Sequence, residues 1–460
     1  MLLPIICAIL YQETSSLQAY AICSILCLTL GTILTKIKIT KHNFYAKEAF
    51  VTVTFSWIVL SLFGALPFYL TKDIPSFIDA LFEIISGFTT TGSSILNDVE
   101  CLSHANLLWR SFSHWIGGMG VIVFLLAIVP FSKGSTLNLL KAKSPGPSVE
   151  KMVPKIKDTA MILYGMYMGL SLLQLMILLI LRCPVFDAIC ITFGTAGTGG
   201  FGIKNDSLAS YSIAIQNVTT IFMILFGVNF TFYFYLLNKK FFQAFGVEEV
   251  RLYIIIIITS IVLITINLAP NLSTLFITVK DVAFQVASII TTTGFSTVDF
   301  DLWPDFSRIL LVILMFIGAC AGSTGGGMKV SRFILAFKAI RKEIDSQIHP
   351  RQVEKITIDA KPVSHETIRA TNVYFTAYAF IFVISVILIS INNLGIVTSF
   401  TAVAATFNNI GPGLEMVGPA MNFSCMSNLS KFVLMFDMLC GRLELFPFLV
   451  TLYPLSWKKH

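Results

Sequence analysis

Long stretches without a charged residue recur along the whole of this 460-residue chain. A helix needs about 20 predominantly apolar residues to cross the hydrocarbon core of a bilayer, and most of the stretches reach that length. Each therefore predicts one membrane span, except the last, which is too long for one crossing and too short for two. The stretches cover residues 14–35, 49–71, 111–132, 159–181, 211–237, 252–279, 309–328 and 370–414.

The composition excludes the main soluble classes of protein. Charged residues make up 12% of the chain and hydrophobic residues 55%, whereas a soluble domain carries about 25% charged residues. A chain of this kind is neither a soluble enzyme nor a nucleic-acid-binding protein nor a disordered segment. We expect an all-α polytopic membrane protein in contact with the lipid bilayer.

The net charge of +7 reports topology, not a nucleic-acid partner. Most Lys and Arg residues lie in segments 36–47, 133–157, 239–251 and 329–361, which the positive-inside rule places in the cytoplasm. The nine Cys and six His residues are scattered along the chain. They form no disulfide framework and lack metal-ligand spacing, so we expect no cofactor on this chain.

Four short turns, each between two apolar stretches, indicate a fourfold internal repeat. Their glycines are about 100 residues apart, a period far longer than that of a solenoid and suited to a duplicated membrane unit. The turns are Thr90-Thr91-Gly92, Thr198-Gly199-Gly200, Thr292-Thr293-Gly294 and Asn409-Ile410-Gly411.

A second marker supports the same alignment. Asp79, Asp187 and Asp281 stand at one fixed distance before the first three glycines, and Thr398 followed by Ser399 stands at the fourth. These residue types cap helix N-termini. The stretch of about 11 residues after each cap would be roughly 16 Å long as a helix, half the thickness of a membrane. We therefore predict four re-entrant pore helices that end at mid-membrane.

Such helices favour a cation at their centre. Their C-terminal ends carry the negative end of the helix dipole, and the non-helical turns after them are tolerated at membrane depth only where they line a cavity. Glycine lets successive carbonyl groups turn to one side and replace the water around an ion. Ordinary helix C-caps are the alternative for any single turn. The fourfold recurrence favours a filter for a weakly hydrated monovalent cation.

Stretch 309–328 ends in residues that break a helix, Gly322-Ser323-Thr324-Gly325-Gly326-Gly327. A flexible linker is one interpretation. A phosphate-binding loop is excluded because Met328 occupies the Lys position of that motif and no strand precedes it. Since the residues fall within the inner half of a span, we predict an unwound segment that crosses below the filter as a gate.

The final apolar segment carries Asp437, Arg442 and Glu444. Ionised groups are costly inside a membrane, so a functional role is the first hypothesis, and snorkelling to the inner surface is the alternative. A positive charge at Arg442 near the pore would oppose cation passage. By contrast, we assign Gly117-Gly118-Met119-Gly120 to helix packing.

Taken together, these motifs resemble the TrkH family, the membrane subunit of bacterial Trk-type potassium uptake systems within the Trk/Ktr/HKT superfamily. The resemblance covers essentially the whole chain. It is carried by Gly64-Ala65-Leu66-Pro67, Ser86-Gly87-Phe88-Thr89-Thr90-Thr91-Gly92, His114-Trp115-Ile116-Gly117-Gly118-Met119-Gly120, Gly199-Gly200-Phe201, Ala321-Gly322-Ser323-Thr324-Gly325-Gly326-Gly327, Asn408-Asn409-Ile410-Gly411-Pro412-Gly413 and Gly441-Arg442-Leu443-Glu444.

The family's fold implies four span–pore helix–span repeats around one central pore, after a two-helix N-terminal segment. We divide the chain accordingly into an N-terminal segment, residues 1–47, and four pore repeats, residues 48–157, 158–250, 251–368 and 369–460.

The resemblance also implies a function and partners. The four turns would be the potassium filter, residues 322–327 the gating loop, and Arg442 the positive charge that faces the pore. The protein would be a homodimer in the bacterial inner membrane, on a cytosolic ring of TrkA-type regulatory subunits that bind the nucleotide. Potassium would be its substrate.

Three features depart from the family pattern. The first helix, within residues 1–11, is about half its expected length. Gly202 replaces a Ser or Thr and is expected to loosen its quarter of the filter. Asp437 adds a carboxylate that is expected to pair with Arg442.

A proton- or sodium-coupled potassium symporter is the alternative function. It would require Asp79, Glu83 or Asp437 as a coupling group. An enzyme is not expected because the chain lacks a nucleophile–base constellation.

Overall fold

The computed structural model describes residues 1–37, 46–128, 156–269, 275–350 and 355–457. These residues form helices almost throughout, in an N-terminal pair and four similar units. In the N-terminal pair, α1 (Leu2–Leu10) lies beside α2 (Thr14–Thr35). Tyr20 of α2 is buried and donates a hydrogen bond of 2.7 Å from its hydroxyl to the amide oxygen of Asn106 in the first unit.

The first two units show the repeat. In unit 1 a span, α3, leads to a short buried helix, α4, and then to a second span, α5. The same order recurs in unit 2, whose second span is broken and is followed by a short helix. The helices of unit 1 are α3 (Ala46–Thr71), α4 (Phe77–Phe88) and α5 (His104–Ile128), and those of unit 2 are α6 (Ile156–Ile180), α7 (Val185–Gly197), α8 (Ile213–Gly227), α9 (Phe230–Leu237) and α10 (Phe241–Gly246).

Units 3 and 4 repeat the order with their own variations. Unit 3 has a broken second span, and a two-stranded antiparallel hairpin joins it to unit 4. The helices of unit 3 are α11 (Glu248–Leu268), α12 (Leu275–Ile290), α13 (Asp305–Ile317) and α14 (Val330–Ile348), the hairpin strands are β1 (Thr357–Ile358) and β2 (Lys361–Pro362), and the helices of unit 4 are α15 (His365–Ser390), α16 (Ile396–Phe407), α17 (Asn428–Arg442) and α18 (Leu445–Leu452).

Within the described residues, five helices are long and apolar enough to cross a membrane on their own, and a bent pair makes a sixth candidate. In that pair, α8 and α9 meet at 93°. The bend has a local cause, because Val228 is extended and Asn229 starts a new helix by accepting the Thr231 N–H at 2.9 Å. The structure is therefore that of a multi-pass membrane protein.

Apolar side chains are exposed on the outside of the molecule and polar side chains are buried at its centre, the reverse of a soluble protein. In the five long spans, 17–39% of the most apolar window is buried, and large side chains such as Leu172 and Phe380 point outward. The short helices α4, α7, α12 and α16 instead lie at the centre, where Thr, Ser and Gln side chains are buried beside the apolar ones. A lipid-facing exterior around a polar centre follows from this arrangement.

Candidate functional site

The N-termini of the four central helices correct the predicted caps. Ser76 caps α4 and accepts the Asp79 N–H at 3.4 Å, so Asp79 lies in the first turn. Pro184 and Gly395 occupy the cap positions of α7 and α16, which places Asp187 and Thr398 within the first turn of each helix. A helix can begin several residues before an acidic side chain, because carboxylates also favour the first turn through the helix dipole.

The remaining two predicted caps are also interior residues. α12 begins at Leu275 in the described part of the chain, so Asp281 lies in its second turn, where it pairs with Lys280 at 2.7 Å. The Ser399 hydroxyl donates to the carbonyl of Gly395 at 2.8 Å instead of capping an N–H. Unit 4 has Thr398 where the other three units have an aspartate. A carboxylate is nevertheless present there, because the Thr398 hydroxyl donates to Glu415 at 2.9 Å.

The C-termini of the same helices end in one backbone conformation, repeated four times. The first residue of each predicted turn has a left-handed φ between 54° and 58°, and the third is a glycine with φ between 71° and 106°. The left-handed residues are Thr90, Thr198, Thr292 and Asn409, and the glycines are Gly92, Gly200, Gly294 and Gly411. The repeat in the sequence is therefore matched by a repeat in backbone conformation at the ends of these four helices.

Each end is closed by the same pair of hydrogen bonds. In unit 1 the Thr91 N–H donates to the carbonyl of Ser86 at 2.8 Å and the Thr90 N–H to that of Gly87 at 3.1 Å. This is the Schellman pattern, and the equivalent bonds recur in the other three units at 2.8–3.2 Å. The bonds engage carbonyls deep in the last turn. The later carbonyls, including those of residues 91, 199, 293 and 410, stay outside the helical ladder.

Those four later carbonyls form a closed ring with the glycines of the four turns. A methyl group added to the glycine of one unit would approach a carbonyl oxygen of the next unit, that of the residue just before its glycine. The glycine of unit 4 approaches the carbonyl of unit 1 in the same way, so the ring is closed. The distance from the added carbon to that oxygen is 2.0 Å for Gly92 and Gly199, 1.9 Å for Gly200 and Thr293, 2.1 Å for Gly294 and Ile410, and 3.0 Å for Gly411 and Thr91. The four turns therefore surround one axis.

Hydrogen bonds between side chains stabilise the turns. The hydroxyls of Thr89 and Thr91 lie 2.8 Å apart, and those of Thr291 and Thr293 do the same in the opposite unit. Asn409 joins units 4 and 1, because its amide donates to the Thr91 hydroxyl at 2.9 Å. These braces leave the backbone carbonyls as the groups that an ion on the axis would meet.

A buried ion pair that the sequence analysis did not identify supports two of the turns. The Arg110 guanidinium donates to the Glu83 carboxylate at 2.8 Å and to the Gly202 carbonyl at 3.0 Å. Glu83 also accepts the Ile95 N–H at 3.0 Å and the Ser94 hydroxyl at 2.9 Å. Glu83 thus braces the chain beyond the first turn, and Arg110 holds the Gly202 carbonyl beyond the second.

Residues 318–329 interrupt the second span of unit 3 and lie directly below the ring. The Gly326 N–H donates to the Thr292 hydroxyl at 2.6 Å, and the Gly327 N–H to the Asn408 carbonyl at 3.0 Å. The Thr198 hydroxyl donates to the Thr324 carbonyl at 2.9 Å. The broken segment therefore contacts the ends of the short central helices of three units.

Arg442 is buried against this segment. Its guanidinium donates to the Thr324 carbonyl at 2.9 Å and to the Gly117 carbonyl of α5 at 2.7 Å. Lys329, which sequence reasoning did not identify, donates from Nζ to the Gly325 carbonyl. Two cationic side chains are thus bound to the backbone of the segment below the ring.

The two acidic residues of the last span, Asp437 and Glu444, have different partners. Asp437 accepts the Ser385 hydroxyl of α15 at 2.8 Å, and Glu444 pairs with Arg332 of α14. The expectation that Asp437 pairs with Arg442 is therefore wrong. The two side chains are five residues apart on α17, and Arg442 reaches across to α5 and the broken segment instead.

Comparisons with known proteins agree with this architecture. Residues 16–458 match the family model described as TrkH, cation transport protein. The Trk system potassium uptake proteins TrkH of Salmonella typhimurium and Escherichia coli K12 are each 35% identical to the chain, over all of it and 96% of their own length. The crystal structure of the potassium transporter TrkH from Vibrio parahaemolyticus aligns with a TM-score of 0.88 at 32% identity, over 99% of this chain and 96% of that one. The chain is a transporter, not an enzyme, and it belongs to the TrkH family of cation transport proteins.

Proposed function

We propose that this protein takes up potassium across the bacterial inner membrane through a gated, channel-like pore. The closed ring of carbonyls from Thr91, Gly199, Thr293 and Ile410 supports the proposal. Backbone carbonyls replace the hydration shell of a weakly hydrated cation without any change of protonation. The four turns, residues 90–92, 198–200, 292–294 and 409–411, form the potassium filter.

The broken segment is the gate in this proposal. Residues 322–327 lie below the ring, and Arg442 binds the Thr324 carbonyl at 2.9 Å. A cation that leaves the filter toward the cytoplasm meets this segment and the fixed positive charge of Arg442. The segment must move for conduction, and a regulator would act by moving it.

The partners are proposed on the family relationship. The protein functions as a homodimer on a cytosolic ring of TrkA-type subunits, and the nucleotide binds that ring. The name of the relatives, Trk system potassium uptake protein, supports both potassium as substrate and a multi-component system.

The hydrogen bonds and ion pairs of two carboxylates favour the channel over a coupled symporter. Glu83 is occupied by Arg110, Ser94 and Ile95, and Asp79 pairs with Lys431 of α17. A coupling carboxylate must exchange its proton or ion in each cycle, whereas these two serve as fixed partners.

Ion flux into liposomes that contain the purified protein tests the proposal. Potassium and rubidium flux is expected to follow the electrochemical gradient at clamped voltage, exceed sodium flux and proceed without proton movement. Arg442→Ala is expected to raise the basal flux, whereas Arg442→Lys retains the charge and is expected to change it less. Flux that requires a proton or sodium gradient would contradict the channel, and unchanged flux in Arg442→Ala would contradict the gate.

A further inference from the structure

Glu249 is a buried acid at the start of a span. It occupies the first turn of α11 and is 5% exposed. A carboxylate buried at the edge of a membrane protein is costly unless several donors satisfy it. Its contacts therefore define what the residue does.

Both ends of the broken segment bind one oxygen of Glu249. The Ala321 N–H donates to Oε1 at 2.6 Å, and the Ser331 N–H donates to the same atom at 3.1 Å. Ala321 lies just after the end of α13, and Ser331 lies in the first turn of α14. One carboxylate oxygen thus brings together the points where the chain leaves and re-enters helix.

The other oxygen of Glu249 binds the break in unit 2. The side-chain NH2 group of Asn229 donates to Oε2 at 3.3 Å, while its side-chain oxygen Oδ1 accepts the Thr231 N–H at 2.9 Å. The neighbouring Phe230 N–H donates to the Gly322 carbonyl at 3.0 Å. The interrupted second spans of units 2 and 3 therefore meet at Glu249.

We propose that Glu249 is a positioning residue that latches residues 318–329 in place below the filter. The inference rests on the proposed function of that segment as a gate. Arg442 holds the middle of the segment at Thr324, and Glu249 holds its two ends. Loss of the carboxylate releases the ends and shifts the segment toward its displaced position.

The latch requires a carboxylate, since an ionised carboxylate is an acceptor at both oxygens. In Glu249→Gln the amide oxygen can still accept the two backbone N–H groups. The new NH2 group, however, faces the NH2 group of Asn229, whose orientation is set by its bond with Thr231. Glu249→Ala removes all three bonds.

Cys320 reports directly on the position of the segment. It precedes Ala321, is fully buried, and its N–H donates to the Gly227 carbonyl at 3.1 Å. In a full-length chain that retains Cys320 as its single cysteine, a methanethiosulfonate reagent added from the cytoplasmic side labels this thiol only when the segment moves. Labelling measures displacement independently of ion flux.

The experiment compares Glu249→Gln, Glu249→Ala and Glu249→Asp in liposomes, with Cys320 labelling and rubidium flux as readouts. Glu249→Gln is expected to raise the labelling rate about tenfold, equivalent to about 1.4 kcal/mol, and Glu249→Ala more. Glu249→Asp retains a carboxylate and is expected to restore slower labelling. Asp345→Asn is the matched control, because it removes an acid of α14 that pairs with Arg341 on the exposed surface.

The outcomes separate the latch from the gate. Labelling at the parent rate in both Glu249→Gln and Glu249→Ala, with the chain eluting normally from a sizing column, would overturn the latch. If Arg442→Ala still raises flux in that case, the gate stands without it. Faster labelling with unchanged rubidium flux would support the latch and contradict the proposed gate. Faster labelling in Asp345→Asn would overturn the specific role of Glu249.

Discussion

At the scale of single residues, the pore depends on backbone conformations that side chains rarely adopt. Thr90, Thr198 and Thr292 hold a left-handed φ that costs a non-glycine residue roughly 1–2 kcal/mol. Their side chains are buried, and hydrogen bonds in the last helical turn stabilise the conformation. The strain is repeated in all four units, so it belongs to the geometry that turns the carbonyls toward the axis.

The filter glycines are expected to differ in their tolerance of a methyl group. In Gly200→Ala the new carbon would lie 1.9 Å from the Thr293 carbonyl oxygen, whereas in Gly411→Ala the nearest oxygen is 3.0 Å away. We expect Gly200→Ala to lower the preference for potassium over sodium by about tenfold or more, and Gly411→Ala to lower it less. Paired rubidium and sodium flux measurements on each variant test this order. An equal loss in both would contradict the ring geometry.

At the scale of elements, the sequence predicts the repeat but not its supports. The turns around Gly92, Gly200, Gly294 and Gly411 could be found because each carries helix-breaking residues at a regular interval along the chain. The latch at Glu249 could not, since its contacts come from residues far away in the sequence. The same holds for Glu83 and Arg110, which are brought together by the packing of α4 against α5.

The helix starts were predicted less well than the helix ends. An acidic residue indicates the first turns of a helix, but Ser76, Pro184 and Gly395 occupy the cap positions. The ends were clearer because the same glycine-containing turn recurs four times, each time between two apolar stretches. A single sequence thus locates the candidate filter more accurately than the helices that position it.

Close contact between α5 and the pore helices is expected to depend on individual glycines. A methyl group on Gly117 would lie 2.0 Å from the Phe88 carbonyl, whereas on Gly120 the nearest atom is 3.7 Å away in Trp57. We expect Gly117→Ala to lower the thermal stability of the detergent-solubilised protein. Gly120→Ala is expected to leave it unchanged or raise it, because Ala favours helix by up to about 1 kcal/mol over Gly. Similar melting temperatures for both variants would contradict this packing.

At the scale of the whole molecule, the four units have similar folds but contribute different residues to the ring and to the segment below it. Units 1 and 3 carry matching threonine braces, at Thr89 and Thr91 and at Thr291 and Thr293. Units 2 and 3 each contribute a broken second span, and these two spans meet at Glu249. Unit 4 contributes Arg442, which crosses to the first unit and to the broken segment. Under the proposed function, a nearly symmetric filter thus lies above an asymmetric gate, so movement of one segment would control a pore built from four units.

Asp437 distinguishes a channel from a coupled transporter at this scale. It is fully buried, and its carboxylate accepts the Ser385 hydroxyl and makes no hydrogen bond with Arg442, which instead binds Thr324 and Gly117. We expect Asp437→Asn to retain that hydrogen bond and to leave rubidium flux unchanged, with or without a proton gradient. Ser385→Ala removes the same bond while retaining the acid and serves as the matched control. Loss of gradient-dependent uptake in Asp437→Asn but not in Ser385→Ala would identify Asp437 as a coupling group and favour the symporter.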